Sequence, residues 1–229
     1  MVRRMDLKLF KWIFLIILLF IILIFYLRLI PLFGSKFYKH IKEIKNPNDI
    51  KVLVNKNRCL SPSYIPNNLV KLKTTYAFED KYLRKEAAEA LEKLIIDSKK
   101  LNFDLVVVSA YRSYDYQQKL YHQYVKEKGQ EYADACSARP GHSEHQTGLS
   151  FDIMGSNKDY DLFEEAIEFP WMKNNAYKYG FILRYPKGKE HITGFKYEPW
   201  HYRYVGKLVA KEIFLQQLTL EEYYEKKNH

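Results

Sequence analysis

The chain has 229 residues, room for one domain plus an extension. A hydrophobic fraction of 47% with 16% aromatic residues excludes a disordered polymer and is ample for a packed core. The net charge of +10 favours an anionic neighbourhood, but the positive residues are scattered and no nucleic-acid motif accompanies them, so a nucleic-acid partner is not expected.

Trp12 to Leu27 is an uninterrupted apolar run bracketed by Lys11 and Arg28. At ~1.5 Å per residue it reaches about 24 Å, slightly short of a ~30 Å hydrocarbon core. Snorkelling of the flanking cations, or inclusion of Leu9 to Ile30, closes that gap. Apolar residues occur on all faces, and only Gly34-Ser35 hints at a cleavage site. The expectation is a signal-anchor transmembrane helix, with residues 1–33 as tail and anchor and contact to the cytoplasmic membrane through residues 9–33. Cations flank both ends, so charge alone does not orient the span. Residues 34–49 are polar and basic and read as a spacer, and residues 50–220 as the main domain, ahead of a tail over 221–229.

Within that domain, Ile50 to Asn55 reads as a strand and residues 56–80 as irregular, punctuated by Pro62 and Pro66. Residues 82–100 carry Leu83, Ala87, Leu91, Leu94 and Ile95 at helical spacing. Asp104 to Ala110, with three consecutive valines, predicts a buried strand, and Tyr114 to Lys128 a helix stopped by Gly129. Residues 130–148 read as a long loop and Leu149 to Met154 as a strand. Residues 159–178 read as an interrupted helix. Gly180 to Arg184 and Trp200 to Tyr202 predict strands, Val205 to Gln217 a helix, and Leu220 to Glu225 a short segment after it. Helices cluster around short strands instead of alternating with them, which makes the fold class α+β. Cys59 and Cys136 form no C-x-x-C pair; a disulfide between them and two separate thiols are both open.

Two stretches carry chemistry. Ser143 to Asp152 reads S-E-H-Q-T-G-L-S-F-D, and Glu198 to His201 reads E-P-W-H. His145 and Asp152 are seven apart, which fits a loop followed by a strand, with Gly148 allowing the turn, rather than one helix face. A His near an Asp is ordinarily a surface hydrogen bond. Here His201 adds a second imidazole and Glu198 a spare carboxylate. Three protein ligands leave one zinc position open, the arrangement of catalytic zinc, and Glu198 is placed as its general base. No serine has Lys three residues on and there is no G-x-S-x-G, which argues against a serine nucleophile.

These motifs resemble the VanY-type D-alanyl-D-alanine carboxypeptidases, a zinc metallopeptidase family related to the D-Ala-D-Ala dipeptidases and the hedgehog domain. Leu53-Val54-Asn55-Lys56, Tyr64-Ile65-Pro66, Ser109 to Ser113, Ala138 to Gly141 and Tyr202 to Gly206 fall in family order, over roughly residues 50–220. The resemblance implies a small antiparallel sheet bearing one zinc per chain on His145, Asp152 and His201, flanked by helices. It implies a monomeric catalytic domain that removes the C-terminal D-alanine from peptidoglycan stem peptides, outside the cytoplasmic membrane. It gives Arg112 a substrate role, on the terminal carboxylate or on the oxyanion, and makes Ser143 a donor to substrate; Ser113 and Gln117, one helical turn apart, are placed in the pocket wall. An L,D-carboxypeptidase acting on tetrapeptide stems is the rival within the class. A non-catalytic wall-binding module is the rival outside it, weighed against by the intact Glu198.

Overall fold

The computed structural model describes residues 12–21 and 37–227. The chain divides into two compact units, Met1–Lys39 and His40–His229. In the first, residues 12–21 are helical with exposed side chains. That length reaches about 15 Å, half a hydrocarbon core. Among the described residues no helix is long and apolar enough to cross a membrane. The expected anchor over residues 9–33 is therefore not supported by the described segment, and its remainder lies outside the described residues.

The second unit starts ahead of residue 50. Strand β1 (Lys42–Glu43) pairs in parallel with β2 (Arg58–Cys59), and Ile44 packs against the core, so residues 40–49 are part of the fold and not a spacer. A two-residue strand is too short to show a period in sequence. Residues 50–51 lie in a turn and 52–54 are irregular, not the expected strand; Asn55 alone of this stretch bridges, to Arg58. Their apolar run has another cause: Val52 and Val54 enter the main core while Leu53 enters a second cluster. Strands β3 (Leu69–Lys71) and β4 (Tyr82–Arg84) form an antiparallel pair.

Helix α1 (Lys85–Lys99) follows β4 directly and buries Ala87, Ala88, Leu91, Leu94 and Ile95, the stripe its spacing predicts. Strand β5 (Val106–Ser109) leads to α2 (Tyr114–Lys128), whose first turn is capped by the Ser113 hydroxyl, accepting from the Tyr116 amide. Part of the expected loop is instead helical, as α3 (Gln130–Cys136). Then come β6 (Ser150–Met154), α4 (Phe169–Asn175) with Pro170 in its first turn, β7 (Phe181–Leu183) and the short α5 (Glu190–Thr193). Strand β8 (His201–Tyr204) and helix α6 (Lys207–Gln216) precede α7 (Leu220–Lys227). Leu220 and Glu221 of α7 are buried and Tyr223 and Tyr224 pack against the second cluster, so the helix that begins the expected tail belongs to the fold.

The main sheet runs β5-β6-β8-β7, with every neighbouring pair antiparallel. Its two faces differ, because side chains alternate along a strand. Phe151 and Ile153 of β6 and Tyr202 of β8 enter the core. Phe151 meets Phe181 edge-on at 5.1 Å and stacks on Tyr202 at 6.0 Å. The opposite face carries Ser150 and Asp152 from β6 and His201 and Arg203 from β8, all buried. The mixed helix and small-sheet class is the α+β expected.

Candidate metal centre

Asp152 and His201 are 49 residues apart in sequence but register partners across β6 and β8. Side chains at directly opposed positions sit close enough to touch, and His201 Nδ1 lies 2.8 Å from Asp152 Oδ1. His145 arrives on a single 3-10 turn, Glu144–Thr147, just ahead of β6. Gly148 closes that turn in the left-handed region at φ 66°, and a Cβ there would come within 2.8 Å of Leu69 Cδ2. The exit of β5 fixes the turn from the other side: the Arg112 amide donates to the His145 carbonyl at 3.2 Å. His145 Nδ1 donates to the Ala110 carbonyl at 2.6 Å, which leaves Nε2 as the free lone pair.

That nitrogen lies 3.2 Å from Asp152 Oδ2 and is buried with no hydrogen-bond partner. One ligand atom from each of His145, Asp152 and His201 fits within 4.8 Å of the others. An orphaned imidazole nitrogen, a carboxylate and a second imidazole make a donor set that suits zinc. The residues therefore fit a single ion of that kind. Burial first, then Arg112, pulls His145 down to about 4. Burial also opposes charge on His201, but Asp152 and Glu144 outweigh it and push the imidazole up to about 9. Ligation through Nδ1 requires that nitrogen to be deprotonated, so a cation would take the place of the proton Asp152 holds there.

Glu198 lies one short turn before His201, closed by the His201 amide on the Glu198 carbonyl at 3.2 Å. Its Oε2 is 3.9 Å from His201 Nδ1. Burial raises its carboxyl to about 7, with Asp152 adding to the rise and His201, Arg112 and Arg184 opposing it. A carboxylate near neutrality at such a place can exchange protons with a reacting water.

A cavity of about 420 Å³ opens over these groups and is lined also by Arg112 and Ser143. Arg112 Nε is buried without a partner. Ser113 and Gln117 do not line this cavity, contrary to the sequence expectation. The Ser113 hydroxyl is used by the α2 cap. Gln117 is 1% exposed and donates to Ser137 Oγ and the Ala138 carbonyl, which shapes the wall from behind. Cys59 and Cys136 are both free thiols, so the bridge left open by the sequence is not formed. Glu144, Arg184 and Arg203, all fully buried beneath the trio, went unremarked in the sequence. Arg203 had a usable signal: it lies two residues beyond His201 and so shares its strand face.

The VanY family model, described as D-alanyl-D-alanine carboxypeptidase, matches residues 80–207. VanXYC of Enterococcus gallinarum, a bifunctional D-Ala-D-Ala dipeptidase and carboxypeptidase, is 38% identical over 178 residues, covering 76% of this chain and 92% of its own. The structure of the LdcB LD-carboxypeptidase superposes with a TM-score of 0.77 at 46% identity, covering 82% of this chain and 91% of that one. The D,D-pentapeptidase VanY of a VanB-type resistance cassette, solved in complex with Zn(II), gives a TM-score of 0.66 at 32% identity, covering 76% and 98%. The chain thus belongs to the VanY family of D-alanyl-D-alanine carboxypeptidases and is a hydrolase of that zinc peptidase group.

Proposed function

We propose that this protein is a zinc carboxypeptidase that releases the C-terminal D-alanine of peptidoglycan stem peptides. The observation that carries the reading is the convergence of His145 Nε2, Asp152 and His201 Nδ1 beside Glu198 in one cavity. Zinc held by that trio would polarise the scissile carbonyl and lower the pKa of water to about 7. Glu198 takes a proton from the attacking water and delivers it to the departing amine as the C–N bond breaks. Arg112 receives the substrate's free carboxylate, which a guanidinium binds with two parallel bonds. Ser143 donates to the substrate backbone. Stem peptides lie outside the cytoplasmic membrane, so the folded unit acts there, with residues 9–33 as its membrane anchor.

The residue before the cut is D in a pentapeptide and L in a tetrapeptide. The tetrapeptide reading is favoured by the greater likeness to LdcB, 46% identical, than to the VanY structure, 32% identical. Incubating the full-length protein with each peptide, with and without chelator, and weighing the products separates the cases. Chelator-sensitive loss of one alanine from the pentapeptide is the D,D activity; loss from the tetrapeptide alone is the L,D activity. Loss from neither, with zinc bound, overturns the proposal.

A further inference from the structure

Glu144 stands between the two motif residues Ser143 and His145, yet its side chain leaves the cavity floor for a buried charge cluster. Its Oε1 accepts from Arg184 Nε and from Arg203 Nη1, each at 2.8 Å. Both guanidinium groups are wholly buried. Arg203 is pinned further by donation to the Val52 carbonyl at 2.8 Å and the Ile50 carbonyl at 3.1 Å. Arg184 is held by the two oxygens of Glu221 at 2.7 and 2.8 Å. Two arginines and two glutamates make the cluster neutral, and the second glutamate comes from α7, beyond the residues 80–207 that the family model matches. The remaining oxygen, Glu144 Oε2, is buried with no hydrogen-bond partner. So is His201 Nε2, and the two lie 3.7 Å apart. An acceptor and a ring nitrogen left over in the same dry place are complementary, because a buried polar group without a partner is costly.

We propose that Glu144 is a positioning residue for the metal centre: gripped by Arg184 and Arg203, it takes the Nε2–H of His201 and so turns Nδ1 toward the metal, with Glu221 of α7 balancing the charge. The idea rests on the zinc reading above. A carboxylate behind a ligating imidazole fixes its tautomer and orientation, and loss of such a partner weakens metal binding roughly 10–100-fold.

The test is made on the full-length, zinc-loaded protein by long-range 1H–15N NMR of the histidine rings, joined to chelator competition on Glu144→Gln. The expected result is a His201 ring with its proton on Nε2 and its metal on Nδ1. Glu144→Gln should raise the zinc dissociation constant about 10–100-fold and shift the visible bands of the cobalt-substituted protein. Metal on His201 Nε2, or a folded Glu144→Gln protein with wild-type zinc affinity and cobalt spectrum, overturns the inference. If Glu144→Gln does not fold, the ring assignment in the unsubstituted protein decides alone. Absence of zinc from His145, Asp152 and His201 in that spectrum instead overturns the metal reading itself, and this inference with it.

Discussion

Glu198 is largely buried, with 13% of its side chain open to the cavity, and that burial sets its chemistry: it lifts the carboxyl to about 7 before any cation is considered. Only the ionised form can accept a proton, so activity must rise with pH through this group's pKa. A divalent cation at the trio favours the carboxylate and pulls that pKa down. The acid limb of kcat/KM should therefore fall at or below about 7, and a limb centred above 8 would remove Glu198 as the base. Arg112, with its buried unpartnered Nε, makes a different prediction. Arg112→Ala should retain zinc while kcat/KM on free C-termini falls by about two orders of magnitude or more, read beside metal analysis of the same sample. At this scale much of the site was legible, because His145, Asp152, Glu198 and His201 sit in two short motifs whose residue types have few other uses together. Ser113 and Gln117 were misplaced because helical spacing tells which face a residue shares, not whether a cap or a neighbouring loop has claimed its polar atoms. Glu144 escaped notice because its partners Arg184 and Arg203 are 40 and 59 residues away.

The elements explain how the motifs meet. The pairing of Asp152 with His201 is a register property of β6 and β8, and the His145 turn is held by Gly148 and the exit of β5. Gly148→Ala places a Cβ at positive φ and within 2.8 Å of Leu69 Cδ2. It should cost about 1–3 kcal/mol of stability and weaken zinc binding as the turn shifts, measured by denaturant midpoint and chelator competition. A stability unchanged within ~0.5 kcal/mol would mean that the turn tolerates the side chain. Helix α2 spans the expected Tyr114 to Lys128, since Gly129 is a local stop signal, while the Ser113 cap at its other end is a finding of the structure. Strands β1 to β4, of two or three residues each, were not read, because their pairing depends on distant partners and leaves no local period. The buried residues 52–54 mimic a strand because neighbouring residues feed two different clusters.

Across the folded unit, the C-terminal helix α7 is tied to the floor of the site by charge. Glu221 grips Arg184 with both oxygens, in a place where neither is solvated. Glu221→Ala leaves a buried guanidinium short of a counter-charge and should destabilise the protein by about 3–5 kcal/mol, against ~0.5 kcal/mol or less for an exposed pair. The contrasting control is the exposed Lys71–Asp80 pair, and equal effects at both sites would deny α7 this structural role. In the proposed mechanism three side chains hold the metal and Glu198 moves the proton. The direct measurement is zinc content and D-alanine release, taken side by side on the wild-type and Glu198→Gln proteins. Near wild-type zinc is expected, with release slowed by about 10²–10⁴-fold. Release at the wild-type rate would contradict it.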